Sequence, residues 1–166
     1  MESIPISVEG FAHVKAELER LKAERPAIIQ AIKEAREEGD LSENAGYDAA
    51  RERQGMLEAK INFIESRMPR FNVVDLHKVG GDKIIFGATV KLLDLETEEE
   101  REFILLGPDE TEYSPDKRCI SVFSPVGRAL LGKEEGEEVT VNAPRGRINY
   151  EILAVAFHGP VIPPKE

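Results

Sequence analysis

The sequence is poor in thiols, imidazoles, aromatics and positive charge, and each shortage closes off a class of function. Its 166 residues hold one cysteine, Cys119, and three scattered histidines, His13, His77 and His158. A single thiol excludes a disulfide framework within the chain and points to a reducing cytosol. With so few thiols and imidazoles there is no structural zinc pattern, so the histidines read as surface or packing residues. The opening "MESIPISVEG" has neither the basic start nor the apolar core of a signal peptide. No stretch approaches the ~20 apolar residues of a membrane span, so a cytoplasmic protein without membrane contact is expected. Lys and Arg number 22 against 32 Asp and Glu, a net charge of −10. That balance argues against broad, non-specific duplex binding.

The charge is uneven along the chain. Residues 1–70 carry 11 basic and 14 acidic side chains, and the remainder carry 11 and 18. So acidic a second part suits a basic protein partner better than bare nucleic acid. Any nucleic-acid contact should be local and should use the few basic residues of the first part. The length fits one or two small domains.

Residues 8–38 repeat in steps of three and four through Phe11, Val14, Leu18, Leu21, Arg25, Ile28, Ile32 and Ala35. This is a coiled-coil seam, with Ser7 as its expected N-cap. Pro26 is expected to bend the rod, because an interior proline loses a helix hydrogen bond. A second stripe follows at Tyr47, Ala50, Gln54, Leu57, Ile61, Ile64 and Met68, and Pro69 stops it. Two seams joined by a short bend must run antiparallel. Residues 1–70 are therefore expected to form a helical hairpin with its tip at 39–46.

Beyond Pro69 the pattern becomes Val-, Ile- and Phe-rich: "NVVDLHKV", "KIIFGATVKLLDL", "REFILLG", "RCISVFSP" and "INYEILAVAF". These read as strands of a compact domain over residues 72–157. "SPVGRALLGK" reads as a short helix with Ser124 as N-cap and Pro125 at its first position. "APRGRI" has hairpin chemistry, with Gly146 in the turn. Residues 158–166 are proline-rich and read as an extended tail. The fold class is α+β.

The tip, "GDLSENAG", asks for an explanation of its two acids. One reading is a capping box, with Asp40 as N-cap of the second helix, Glu43 three residues on and Gly39 ending the first helix in the left-handed region. The other is that Asp40 and Glu43 are metal ligands. Two carboxylates do not hold Mg²⁺ tightly alone, but they can complete a site inside a partner and orient a water for phosphodiester attack. The basic residues flanking the bend, Arg36, Arg51 and Arg53, are either a solvated face paired with Glu37 or Asp48, or a guide for single-stranded RNA phosphates. Tyr47 reads as a seam residue or a base-stacking platform.

The string "AREEGDLSENAGYDAARERQG" resembles the tip signature of the bacterial Gre transcript cleavage factors. "ISVFSPVGRALLGKEEGEEVTV" is similar to their C-terminal signature. With "IIFGATVKLLDLETEEE" between them, the resemblance runs to about residue 157 and fits the GreA branch. It implies an FKBP-like C-terminal domain that docks on bacterial RNA polymerase, and a hairpin that enters the secondary channel. It further implies stimulated cleavage of the backtracked 3′ end of nascent RNA, with no nuclease activity of the factor's own. Asp40 and Glu43 match the two acidic tip positions that share a Mg²⁺ with the polymerase. Arg51, and after it Arg36 and Tyr47, are the implied RNA contacts, and Ser124 and Pro125 face the polymerase. The factor is expected to be a monomer. Gly46 and Asp48 depart from the family string, which has a Glu and commonly a His there. The rival readings are a non-catalytic channel regulator and a prolyl isomerase or chaperone. The second is set back by the few aromatics available to line a proline pocket.

Overall fold

The computed structural model describes residues 2–39 and 44–165. They form two compact units: residues up to His13 together with those from Phe71 onward, and Val14–Arg70. Among the described residues no helix is long and apolar enough to cross a membrane.

In the order of the chain, β1 (Ile4–Ser7) leads directly into α1 (Val8–Ala23), which is followed by α2 (Arg25–Glu37) and α3 (Ala45–Arg67). The bend expected at Pro26 is a break at Glu24. Pro26 lies in the first turn of α2, where a missing N–H costs nothing, whereas in a continued helix its ring would meet the Lys22 carbonyl. The chain stays connected there: the Glu24 amide donates to the Leu21 carbonyl (3.1 Å) and the Ile28 amide to that of Glu24 (3.3 Å).

Leu21, Ile28, Ile32, Ala50, Leu57 and Ile61 make the buried seam of the hairpin, with Leu18, Tyr47 and Ile64 packed against it. Arg25, the one cation of the expected seam, turns its guanidinium to Glu58 on α3, at 2.7 and 2.8 Å. That hydrogen-bonded pairing holds the Glu58 carboxyl below its ordinary value and raises Arg25. Residue 25 faces residue 58 and residue 35 faces residue 44, so the helices run antiparallel.

After a 3₁₀ turn at Met68–Arg70 the chain enters β2 (Phe71–Val74). β2 pairs in parallel with β1, Ile4 opposite Phe71 and Ser7 opposite Val74. The remaining strands are β3 (Thr89–Asp94), β4 (Glu100–Leu106), β5 (Cys119–Ser121), β6 (Glu138–Ala143) and β7 (Gly146–Ala156). They form one sheet in the order β5-β4-β3-β7-β6, antiparallel except for β4 with β5. α4 (Pro125–Leu130) lies between β5 and β6 in sequence. Ile84, Val90, Leu92, Leu105, Leu130, Val141 and Ile152 form its core. The β6–β7 turn pairs Ala143 with Gly146, whose φ of 129° suits glycine. Residues 158–165 contain no helix or strand, yet Ile162 is buried beside Leu76, Ile104 and Leu106.

Glu110 is the least expected core residue, fully buried at 0% exposure. Its carboxylate accepts the Ser7 amide (3.1 Å to each oxygen) and the Gly107 amide (2.8 Å), and the Ser7 hydroxyl donates to it as well. Burial nevertheless pushes the carboxyl above its ordinary value. Ser7 in turn takes its expected N-cap role, its Oγ accepting from the Gly10 amide at 3.0 Å.

Candidate functional site

The end of α2 and the start of α3 are both defined by hydrogen bonds. At the end of α2 the Glu38 amide donates to the Ala35 carbonyl and the Gly39 amide to that of Arg36, both at 3.3 Å. Gly39 has φ of 116°, the left-handed conformation expected of it. Asp40 and Glu43 lie outside the described residues. The start of α3 is described, and it corrects the capping-box reading. The N-cap is Asn44, with extended backbone (φ −93°, ψ 97°), and its Oδ1 accepts from the Tyr47 amide at 3.0 Å. α3 thus begins after both acids. Its cap is satisfied by a residue that spacing had passed over, because Asn44 itself has the short acceptor an N-cap needs.

Asn44 also reaches backward, its Nδ2 donating to the Ala35 carbonyl at 2.6 Å. One carboxamide therefore serves both helix ends. The family departure at Gly46 sits close by: a Cβ there would stand 3.3 Å from Asn44 Oδ1. Asp48, the other departure, lies in the first turn of α3, where a negative charge faces the positive end of the helix dipole.

Arg36 and Arg51 come together on one flank. They line a groove of about 440 Å³ with Ile29, Ile32, Lys33, Glu37 and Gln54. The Arg36 guanidinium sits over the Tyr47 ring, 5.8 Å from its centroid, which is a cation–π distance. Tyr47 is half-buried against the seam, so its ring packs there and its exposed part lies under Arg36. Lys33 is a third basic residue of this flank that the sequence reading did not single out. Arg53 is exposed and does not line the groove. With Glu37 the groove is mixed in charge but has more cations than anions.

Ser124 and Pro125 form the N-terminus of α4 in the other unit. Ser124 Oγ accepts from the Gly127 amide (3.1 Å) and donates to the Ser121 carbonyl (2.6 Å), and Pro125 opens the helix. Pro125 is exposed. Cys119 is half-buried in β5, its thiol 3.3 Å from Ser114 Oγ, and burial pushes that thiol up. Among the described residues no group of three or more His, Cys, Asp or Glu lies together to hold a metal ion.

Comparison with known proteins bears on the whole chain. The family description "Transcription elongation factor, N-terminal" matches residues 4–73, and "Transcription elongation factor, GreA/GreB, C-term" matches residues 78–157. The chain is 69% identical over 159 residues to the transcription elongation factor GreA of Nitratidesulfovibrio vulgaris (strain DP4), covering 96% of both. It is 67% identical over 161 residues to that of Solidesulfovibrio magneticus, covering 97% of both. Among solved structures, the GreA factor homolog 1 of Thermus thermophilus matches with a TM-score of 0.44 and 24% identity, over 93% of this chain and 99% of that one. The chain belongs to the GreA/GreB family of transcription elongation factors.

Proposed function

We propose that the protein is a cytosolic transcription elongation factor that acts on RNA polymerase and stimulates cleavage of backtracked nascent RNA, with Asp40 and Glu43 as the groups it contributes. Family membership supports the polymerase as partner. The observation that carries the chemical part is the Asn44 cap: with α3 capped downstream of both acids, neither is needed to start that helix. Two charged residues without that capping duty lie in the sequence between α2 and α3.

Their donor set fits Mg²⁺, which takes hard anionic oxygens and keeps part of its shell for other ligands. When bound, the ion supplies Lewis-acid stabilisation and activation of a water for phosphodiester attack. Asp40 and Glu43 would hold it jointly with polymerase carboxylates, so the isolated factor is no nuclease. Arg36, Arg51 and Lys33 hold positive charge beside the tip, which suits the phosphates of a short single-stranded RNA end. Tyr47 contributes by packing the seam beneath Arg36. Ser124 and Pro125 belong to the docking side of a monomeric factor.

The test replaces both acids by amides. Asp40→Asn with Glu43→Gln should leave the hairpin folded and polymerase binding intact, while cleavage in a backtracked elongation complex falls by orders of magnitude. A neutral amide oxygen is a poor substitute for the anionic ligand. Parental cleavage by that double variant would favour the non-catalytic channel regulator. Robust RNA cleavage by rigorously polymerase-free factor would refute the shared site.

A further inference from the structure

We propose that the first turn of α1 and the C-terminal tail form a binding site for a basic side chain, lysine or arginine, presented by a protein partner. The site is a groove of about 450 Å³ lined by Glu9, His77 and residues 160–164, all of them in the unit that carries the sheet. The rest of that unit holds its walls in place. Ile162 is buried beside Leu76, Ile104 and Leu106. The Ser114 hydroxyl donates to the Val161 carbonyl at 3.4 Å, and the Pro163 carbonyl lies 2.7 Å from His13 Nε2. The His13 ring in turn stacks on Tyr113, with centroids 5.0 Å apart. Pro160, Pro163 and Pro164 stiffen the wall further, since each has its φ fixed by its own ring. A tail without helix or strand is thereby a built surface.

The charged group of this groove is Glu9, whose Oε1 is buried with no hydrogen-bond donor among the described residues. A carboxylate in the first turn of a helix is favoured by the helix dipole. That accounts for an acid at this position but not for an oxygen shut away from donors, which costs free energy until something pairs with the group. A second carboxylate is near: burial first, and the Glu9 charge after it, push the Glu110 carboxyl above its ordinary value. Anions are therefore repelled, and a neutral apolar ligand would leave Glu9 unpaired. A metal ion finds too few ligands, since among the described residues no group of three or more His, Cys, Asp or Glu comes together. An organic cation with an apolar stem fits. The methylenes of Lys or Arg suit Val161 and the proline rings, while the head group meets the carboxylate. His77, exposed at the groove, has a ring nitrogen that can accept a further N–H. A free polyamine carries ammonium groups along its whole length and would set one against the apolar wall. Residues 71–166 carry 11 basic and 18 acidic side chains, a balance that draws in a basic protein surface.

The test titrates the full-length, isotope-labelled protein with the acetyl amides of arginine, lysine and, as a neutral counterpart, glutamine, followed by backbone amide chemical shifts at physiological ionic strength. The two cations should shift the amides of Glu9, His77 and Val161 saturably at about millimolar concentration, as ligands of this size allow. The glutamine derivative should leave them in place. Glu9→Gln should weaken both cations about tenfold or more, the expected loss of a hydrogen bond to a charged group. Its melting temperature should not fall, because the amide removes an unpaired charge beside Glu110. An acid kept only for the helix dipole predicts the reverse, a lower melting temperature with unchanged binding. Glu135→Gln, which removes an exposed charge of the same unit, should bind like the parent. No saturable shift at the three amides in the parent would overturn the site whether or not any variant folds. Equal binding by Glu9→Gln, or equal weakening in Glu135→Gln, would overturn it as well. Spermidine binding at the same three amides more tightly than the arginine derivative would assign the groove to free polyamines and refute the protein side chain as its ligand.

Discussion

The two units of this chain are held together by different means. The hairpin has a single apolar seam, drawn from residues three and four apart, flanked by polar pairings between its helices such as Arg25 with Glu58 and Lys22 with Glu65. The sheet unit instead joins distant parts of the chain. β1 pairs with β2, and Ser7 bonds to Glu110, 103 residues away. A helix interface made of side-chain stripes tolerates local adjustment, because its backbone hydrogen bonds are internal to each helix. A junction where backbone meets backbone does not. The sheet unit should therefore be brittle to changes that the hairpin absorbs.

Glycines offer the sharpest way to break that comparison. Gly107 donates its amide to Glu110, and a Cβ added there would stand 2.0 Å from the Pro5 carbonyl oxygen. Backbone cannot step aside as a flexible side chain would, so Gly107→Ala should cost about 3 kcal/mol or more by chemical denaturation, at the upper end of overpacking penalties. A loss below about 1 kcal/mol would show that β1 yields readily.

Next in size is a cavity in the hairpin. Ile61 is fully buried in the seam at 0% exposure, and Ile61→Ala should cost about 2–5 kcal/mol. The low end applies if the two helices close over the gap, as a single seam permits. Loss of helical circular dichroism against urea measures it.

Gly55 reverses the sign. It lies in the exposed interior of α3, and a Cβ there meets nothing within 4 Å. Gly55→Ala should stabilise the hairpin by about 0.5–1 kcal/mol, because alanine loses less backbone freedom on folding. The same chemical change thus destabilises one unit and stabilises the other.

The difference also explains what could be read from the chain. The seam residues Leu21, Ile28, Ile32, Leu57 and Ile61 were legible because a helix writes its contacts into local spacing. Ser7, Gly39, Ser124 and Pro125 were legible because caps and helix stops are local chemistry. Strand β1 was not, since "IPIS" is four residues long and its partner lies beyond the entire hairpin. Glu110, within "GPDETEY", reads as part of a solvated turn; its burial is set by Ser7 and Gly107. "KIIFGATVKLLDL" read as one strand, but only Thr89–Asp94 pairs in the sheet, and Gly87 turns at φ of 93°. At the tip, the Asp-x-x-Glu spacing favoured the wrong cap, because Asn44 offers an equivalent acceptor four residues later.

The smallest effect expected is a titration, and it compares the ion pairs of the two units. On the sheet unit the Arg118 guanidinium lies against Asp116, with Nε 3.0 Å from Oδ1 and a terminal nitrogen 2.7 Å from Oδ2, and it also donates to Glu102. These hydrogen bonds, with the Arg118 amide added, hold the Asp116 carboxyl down at about 2. In the hairpin Arg25 lowers Glu58 by the same fork geometry. A carboxyl with a depressed folded-state pKa binds its proton less readily folded than unfolded. Its contribution to stability is complete above the ordinary carboxylate value of about 3.9, and it fades as pH falls from there toward about 2. Arg118→Gln should therefore raise the Asp116 titration toward the ordinary value and flatten the pH dependence of stability within that acid window. Stability at neutral pH should change little, since both partners are solvent-facing and exposed pairs contribute weakly. Carboxyl chemical shifts followed from neutral pH into acid would read both sites at once. Glu58 should hold its position in Arg118→Gln, because its own partner, Arg25, is untouched. A matching shift at Glu58 would mean that the two units are electrostatically linked, and the contrast between a locally built hairpin and a long-range sheet would have to be withdrawn for their charges.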